Sequence, residues 1–248
     1  MCKVMLVTGA SRGIGAATAR LAAQQGYRVV VNFHRQRDAA EALVEAIAVQ
    51  GGQALALQAD VADEDQVRRL FAEIDTHLGR LDVLVNNAGI LEQQMRLQRM
   101  SLERWQRVFA TNVYGSFLCS REAIARMSTR QGGRGGVIVN VSSIAARLGA
   151  PEEYIDYAAA KGAVDSMTVG LAKELAADGI RVNAVRPGVI DTEIHASGGE
   201  PQRVARVAAS VPLGRGGRAD EVAEAIVWLA SEQASYTTGS LLDVSGGR

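Results

Sequence analysis

Tyr157 and Lys161 stand four residues apart in the run Tyr154-Ile155-Asp156-Tyr157-Ala158-Ala159-Ala160-Lys161. Alanines follow Tyr157, and apolar residues recur at helical spacing from Ala163 through Leu171 and Leu175. That places both side chains on one face of a helix. A phenol ordinarily gives up its proton near pH ~10. An ammonium one turn away favours the phenolate and lowers that value, so the pair would pass a proton to or from a substrate oxygen near neutral pH. A shift of about three units needs roughly 4 kcal/mol, more than one solvated lysine supplies. A second positive charge is therefore expected nearby, and a bound pyridinium ring would be one. Spacing alone does not decide the matter, because Tyr and Lys at i and i+4 also form ordinary surface pairs.

Composition narrows the setting. The 248 residues suit one large domain or two small ones, and 48% hydrophobic with 22% charged residues is material for a core. Twenty-seven basic residues balance 27 acidic ones, which argues against a nucleic-acid or anionic-membrane partner. Cys2 and Cys119 are far apart and in no CxxC, which fits a reducing compartment without disulfides or zinc. His34, His77 and His195 lack metal-ligand spacing, so no metal is expected. No apolar run reaches the ~18 residues of a membrane span, and the first residues read as a strand rather than a signal peptide. The expectation is a cytoplasmic protein.

The elements that would position Tyr157 and Lys161 follow in order. Val4–Val7 is a buried strand that ends in Thr8-Gly9-Ala10-Ser11-Arg12-Gly13-Ile14-Gly15, and a helix pattern runs from Ala16 to about Gln25. Glycines let the backbone turn tightly and let a pyrophosphate approach, and the helix N-terminus offers free N–H groups to it. No Lys-Ser/Thr follows the last glycine, so the turn is not a P-loop. Arg28–Phe33 is the second strand. A site that prefers NAD usually carries an Asp or Glu about 20 residues beyond the turn. Here Phe33 occupies that position, with His34, Arg35 and Arg37 after it and Arg12 inside the turn. Such cations suit a 2′-phosphate, so NADP(H) is expected over NAD(H). The other reading is that Arg35 and Arg37 only solvate the next helix.

Helices are expected over 38–50 and from Asp63, as N-cap, to Leu78, around a third strand at 54–59. Capping does not account for Asp60, which leaves an adenine contact open. A fourth strand, 81–85, ends in Asn86-Asn87-Ala88-Gly89, where the asparagines either make a turn or brace the sheet beside a ligand. After an irregular stretch at 91–100, one long helix is expected over 102–127. It carries Asn112 inside, where asparagine is a poor helix former and must lie on the surface or serve a polar purpose. A fifth strand, 137–141, closes on Ser142-Ser143; a sixth, 181–185, ends near Pro187-Gly188. Residues 191–211 look like a mobile flap, a helix spans 220–230, and the seventh strand is 240–244. Alternating strands and helices with no linker or repeat imply one α/β domain over residues 1–248: a doubly wound, seven-stranded parallel sheet of Rossmann type with helices on both faces. Ligands bind such sheets at the carboxyl ends of the strands, where the glycine turn, Asp60, Asn87, Ser143 and Gly188 all fall.

Taken together and in this order, these motifs resemble the short-chain dehydrogenase/reductase (SDR) family over essentially the whole chain. Thr8–Gly15 is similar to that family's TGxxxGxG turn, Asn86–Gly89 to its NNAG motif, Pro187-Gly188 to its PG motif, and Asn112, Ser143, Tyr157 and Lys161 to its catalytic tetrad. The resemblance implies that Tyr157 is the general acid in reduction and the base in oxidation. It implies that Ser143, the second serine of the pair, binds the substrate oxygen. Lys161 would bind the nicotinamide ribose and Asn112 would hold a relay water. For the cofactor it implies contacts from Gly9, Ser11, Arg12, Gly13, Ile14, Gly15, His34, Arg35, Asp60, Val61, Asn87, Gly89, Ile190 and Thr192. A basic residue in the glycine turn, here Arg12, goes with NADP preference in the family. The family's usual homotetramer, or a homodimer, would pair helices 102–127 and 157–177 across subunits. The gap from Ser143 to Tyr157 is about one residue longer than the family pattern, which puts an extra residue in 148–156.

Three functions follow from this reading. The first is a reductase or dehydrogenase for a small ketone, sugar or polyol. The second is a 3-oxoacyl-thioester (acyl carrier protein) reductase, for which Arg96, Arg99, Arg104 and Arg107 would be the basic docking patch unless they form a solvated face. The third is a non-catalytic NADP(H) sensor, against which a complete tetrad argues.

Overall fold

The computed structural model describes residues 2–248. Strand β1 (Val4–Val7) leads through the glycine turn into α1 (Gly13–Gln24), and β2 (Arg28–Phe33) into α2 (Arg37–Val49). Next come β3 (Gln53–Gln58), α3 (Glu64–Leu78) and β4 (Val83–Asn86). After β4 lie α4 (Leu102–Phe109), α5 (Gly115–Met127), β5 (Gly136–Val141), α6 (Ala145–Leu148) and α7 (Ile155–Glu174). The chain closes with β6 (Ile180–Pro187), α8 (Ile194–Ser197), α9 (Arg203–Ala208), α10 (Ala219–Ala230) and β7 (Leu241–Val244). The seven strands form one parallel sheet in the order β3-β2-β1-β4-β5-β6-β7.

Strand alternation divides the core in two. Met5, Val7, Val29, Val31, Val83 and Val85 face α1, α2 and α10, while Val4, Leu6, Val30, Leu84 and Ile138 face α3, α5 and α7. Because both faces are covered, the strands read as continuous apolar runs rather than as alternating ones. The third helix follows its sequence signals closely. The Asp63 carboxylate accepts from the Gln66 N–H, and Gly79 ends the helix at φ 69°.

The helix expected over 102–127 is not a single α-helix. Residues Ala110–Tyr114 form a π-helical turn between α4 and α5, with Asn112 inside it. A π turn widens the helix and often marks a functional position, and it resolves the oddity of an asparagine there. The 191–211 stretch contains the two short helices α8 and α9. No helix of the described residues is long and apolar enough to cross a membrane.

Candidate active site

The chain runs outward from β1 through β2 to β3, then returns to the other side of β1 as β4. A crevice opens at the strand carboxyl ends where that order reverses. It is a cavity of about 1020 Å³, reaching from the glycine turn to the 191–211 segment.

Backbone builds the glycine-turn end. Gly9 and Gly13 take φ 61° and 55°, in the left-handed region where a side chain is strained. A Cβ on Gly9 would lie 2.9 Å from the Ala88 Cα. The Asn87 amide donates to the carbonyls of Thr8 (2.8 Å) and Gly9 (3.0 Å), while the Thr8 hydroxyl accepts from the N–H groups of Asn87 and Ala88. Asn87 thus braces β1 against β4, one of the two roles its position allowed. Gly15 does not line the cavity: a Cβ there would meet the Asn87 amide nitrogen at 2.5 Å, so its smallness serves close packing under the turn. Ser11, Arg12, Gly13 and Ile14 do line it.

The end of β2 corrects one expectation. Phe33 points into the core and is 1% exposed. Asn32, His34, Arg35 and Gln36 line the cavity instead. Asn32 accepts from the Gly9 N–H (3.2 Å) and donates to the carbonyls of Leu57 and Ala59, binding β1, β2 and β3 into one rim. A polar residue inside an apolar strand was the signal for it. Arg37 turns away to Glu41 and Gln58 and lies over the Phe33 ring, so of the two arginines only Arg35 faces the cavity. Asp60 has a structural partner after all: its carboxylate accepts from the Ala62 N–H (3.0 Å) and lies 3.7 Å from the His34 ring. Val61 lines the cavity beside it.

At the other end, strand alternation separates the two serines as expected. The Ser142 hydroxyl is buried and donates to the Lys161 carbonyl (3.1 Å), whereas Ser143 lines the cavity with Tyr157. Tyr157 lies in the first turn of α7 and Lys161 one turn deeper, its ammonium 5.5 Å from the Tyr157 ring centroid and donating to the Val141 carbonyl (2.8 Å). The expected fall in the phenol's pKa is not what these residues produce. Burial pushes Tyr157 up to about 12, against an opposing hydrogen bond with Ser143. Burial pulls Lys161 down to about 8, with Asp165 acting against it. The lysine cannot offset the desolvation of the phenol, consistent with the need for a further positive charge.

Asn112 is buried and does not face the cavity. Its Oδ1 accepts from the Ile90 N–H (3.2 Å), and its Nδ2 donates to the carbonyls of Ile90 (3.1 Å) and Val108 (2.9 Å). The side chain therefore fixes the course of the chain after β4. There Gly89 passes so close that a Cβ would meet Asn112 Oδ1 at 2.7 Å and Lys161 Nζ at 3.5 Å. Ile190 and Thr192 line the cavity, with Ile190 bridged to Gly217.

Long charged side chains tie the rim together. Arg203 is 8% exposed, lies 5.1 Å over the Tyr154 ring and pairs with Glu153 (2.5 Å) and Glu200 (3.3 Å). Arg206 joins the same two glutamates. His195 Nε2–H donates to the Ile190 carbonyl (2.8 Å), and burial lowers its pKa. In the loop before α7, Ala150 and Glu152 adopt φ 45° and 63° without being glycine, strain that tends to collect at functional rims. This loop lies within the stretch 148–156 assigned the extra residue. Of the four arginines offered as a docking patch, Arg104 is buried on Asp156, Arg107 pairs with Glu92 (2.8 Å), and Arg96 lies 3.8 Å from Glu152. The pairs of Arg203 and Arg206 with Glu153, and of Arg104 with Asp156, were not legible beforehand, because they join residues some 50 positions apart.

A phosphate-bearing dinucleotide fits the residues present. No side chain caps the N-terminus of α1, Arg12 and Arg35 are cations at one end, and Tyr157 and Lys161 stand at the other. Comparison with known proteins agrees. The family model described as Enoyl-(Acyl carrier protein) reductase matches residues 9–248. The chain is 58% identical over 245 residues to the uncharacterized oxidoreductase YgfF of Escherichia coli (strain K12), covering 99% of each. It is 41% identical over 247 residues to the 3-oxoacyl-[acyl-carrier-protein] reductase FabG of Staphylococcus aureus (strain Mu50), covering 100% of this chain and 98% of that one. A crystal structure of a short-chain type dehydrogenase/reductase from Mycobacterium marinum matches with a TM-score of 0.92 at 39% identity, over 99% of this chain and 94% of that one.

Proposed function

The chain belongs to the short-chain dehydrogenase/reductases, and on that footing we propose that it is an NADP(H)-dependent reductase of a small carbonyl compound, with Tyr157 as the proton donor. The observation that carries the reading is one cavity holding Ser143, Tyr157 and Lys161 at one end and Arg12 and Arg35 at the glycine turn.

A bound nicotinamide supplies the hydride. The remaining work falls to the protein. Ser143 holds the substrate carbonyl oxygen beside the phenol. Tyr157, protonated throughout the neutral range, gives its proton to that oxygen as negative charge develops. Lys161 holds the ribose and favours the phenolate left behind. Oxidation would start from that phenolate, which the positive charge of an oxidised nicotinamide would favour. Arg12 and Arg35 would hold a 2′-phosphate, and the sequence Asn32-Phe33-His34-Arg35-Gln36 offers no carboxylate for a 2′-hydroxyl. Gly9, Ser11, Gly13 and Ile14 would receive the pyrophosphate, Val61 and Asp60 the adenine, and Ile190 and Thr192 the carboxamide. Tyr114 and Phe117 are exposed at and beside the start of α5, which supports a homo-oligomer formed through that face.

The 41% identity to a 3-oxoacyl-[acyl-carrier-protein] reductase favours a second reading, reduction of a 3-oxoacyl thioester on an acyl carrier. The pairing of Arg104, Arg107 and Arg96 with acidic neighbours weakens the basic patch such a partner needs. The test is the fall in NADPH absorbance, and separately NADH, over an acetoacetyl thioester, diketones, sugars and polyols, with Tyr157→Phe alongside. Turnover with NADPH that drops by about 10²- to 10⁴-fold in Tyr157→Phe is the expected result. The best substrate chooses between the two readings. Faster turnover with NADH overturns the 2′-phosphate assignment, and tight NADPH binding without turnover on the whole panel overturns the enzyme assignment in favour of a sensor.

A further inference from the structure

Tyr157 occupies an awkward place for a proton donor. It is the third residue of α7, in the first turn, where N–H groups lack helical partners and helices fray. Lys161 is one turn deeper and tethered to the Val141 carbonyl. The phenol needs its own restraint, and the buried pair of Arg104 and Asp156 is placed to supply it.

Arg104 Nε and Nη2 donate to Asp156 Oδ2 (2.6 Å) and Oδ1 (3.2 Å), in the forked geometry that fixes both partners' orientation. The two side chains are 4% and 1% exposed, so water cannot loosen them. Asp156 Oδ1 also accepts from the Tyr157 N–H (3.0 Å), reaching the backbone of the reacting residue itself. The third arm, Arg104 Nη1, donates to the Gln93 carbonyl on the segment that runs from β4 over the cavity. Arg104 sits in the first turn of α4, where the helix dipole disfavours a cation. A buried, forked arginine in an unfavourable helical position, paired with the residue that precedes the proton donor, is more than a surface charge pair.

We propose that Arg104 is a positioning residue for the reaction, holding Tyr157 in register with Ser143 through Asp156 while fixing the cavity rim through Gln93. This rests on the reading of Tyr157 given above.

Removing one partner alone would strand a buried charge, so the decisive variant is the double Arg104→Met/Asp156→Leu, which keeps volume and discards the charges. Melting curves check that it folds, and NADPH-binding stoichiometry counts its sites. Per binding site, kcat should fall about 10- to 100-fold. The KM for NADPH should stay within about twofold, because Lys161 and the glycine turn are untouched. The limb of the pH–kcat profile that vanishes in Tyr157→Phe should also move, which a mere loss of stability would not cause. A folded double variant with wild-type kcat per site and an unmoved limb overturns the proposal. If the double variant does not fold, Arg104→Lys decides: it keeps the charge but gives up the fork and the bond to Gln93. An intermediate kcat and an intermediate limb shift support positioning, and wild-type values reduce the pair to a stabilising contact and overturn the proposal. Turnover that survives Tyr157→Phe overturns the reading of the site and this inference with it. Turnover lost in Tyr157→Phe but intact in the double variant overturns this inference alone.

Discussion

The two ends of the cavity are built from different materials. At the glycine turn, rigid strand ends meet, and asparagine amides bind backbone to backbone: Asn32 joins β2 to Gly9, Leu57 and Ala59, and Asn87 joins β4 to Thr8 and Gly9. At the other end, loops meet through ion pairs of long side chains, Arg203 and Arg206 with Glu153 and Glu200. An amide bonded to main chain has few alternative arrangements. The ion pairs of the half-exposed Arg206 contribute about 0–1 kcal/mol and yield readily. The first end can hold one invariant ligand in one pose, while the second can be altered residue by residue without disturbing the sheet. That division suits a scaffold that keeps its cofactor and changes its substrate.

Alanine at a left-handed glycine tests the difference most strongly. Gly9→Ala combines φ 61° with a Cβ 2.9 Å from the Ala88 backbone, and should cost about 2–5 kcal/mol. Gly149→Ala at the loop end, with φ 75° and nothing within 4 Å, should cost only about 1–2 kcal/mol. Equal losses in thermal or denaturant unfolding would erase the contrast.

Lys161 stands where the two ends meet, and its burial makes stability depend on pH. Its folded pKa of about 8 lies below the ordinary 10.5, so the unfolded chain binds more protons between those values. Lys161 therefore makes the ligand-free protein gain stability as pH rises from 8 to 10.5, and lose it as pH falls through 8, by on the order of 3 kcal/mol. Denaturant unfolding across that window should show a rise that Lys161→Met lacks. Parallel curves for the two proteins would mean the ammonium is better solvated than its burial implies.

Charge at the glycine-turn end is expected to be worth somewhat less. Arg12→Ala with Arg35→Ala should weaken NADPH binding about 10- to 100-fold and leave NADH nearly unchanged, measured by titration of cofactor fluorescence. Equal weakening of both would show that neither guanidinium meets a 2′-phosphate.

The smallest effect belongs to the ion-paired rim. Arg203→Ala should raise the substrate KM severalfold and leave cofactor binding alone, since it releases Glu153 and the Tyr154 ring but touches nothing at the glycine turn. A loss of cofactor affinity in steady-state kinetics would mean that the two ends are mechanically coupled.

The amino-acid sequence determined what is local or periodic. Strand β2 falls at residues 28–33 as read, Asp63 caps α3 and Gly79 ends it, and the sheet is parallel with seven strands. Apolar periodicity, caps and glycine turns act over a few residues, so a chain read in one dimension displays them. The alternation of Ser142 and Ser143 and the i, i+4 placement of Tyr157 and Lys161 are of the same kind. Only the tertiary structure decided which way Phe33 and Asn32 point and that the long helix takes a π turn at Asn112. It also turned Asn112 to the Ile90 backbone, joined Arg104 to Asp156, and desolvated the phenol so that its pKa rises. Each of these depends on partners tens of residues away or on the exclusion of water, and neither is encoded in the spacing of neighbouring residues.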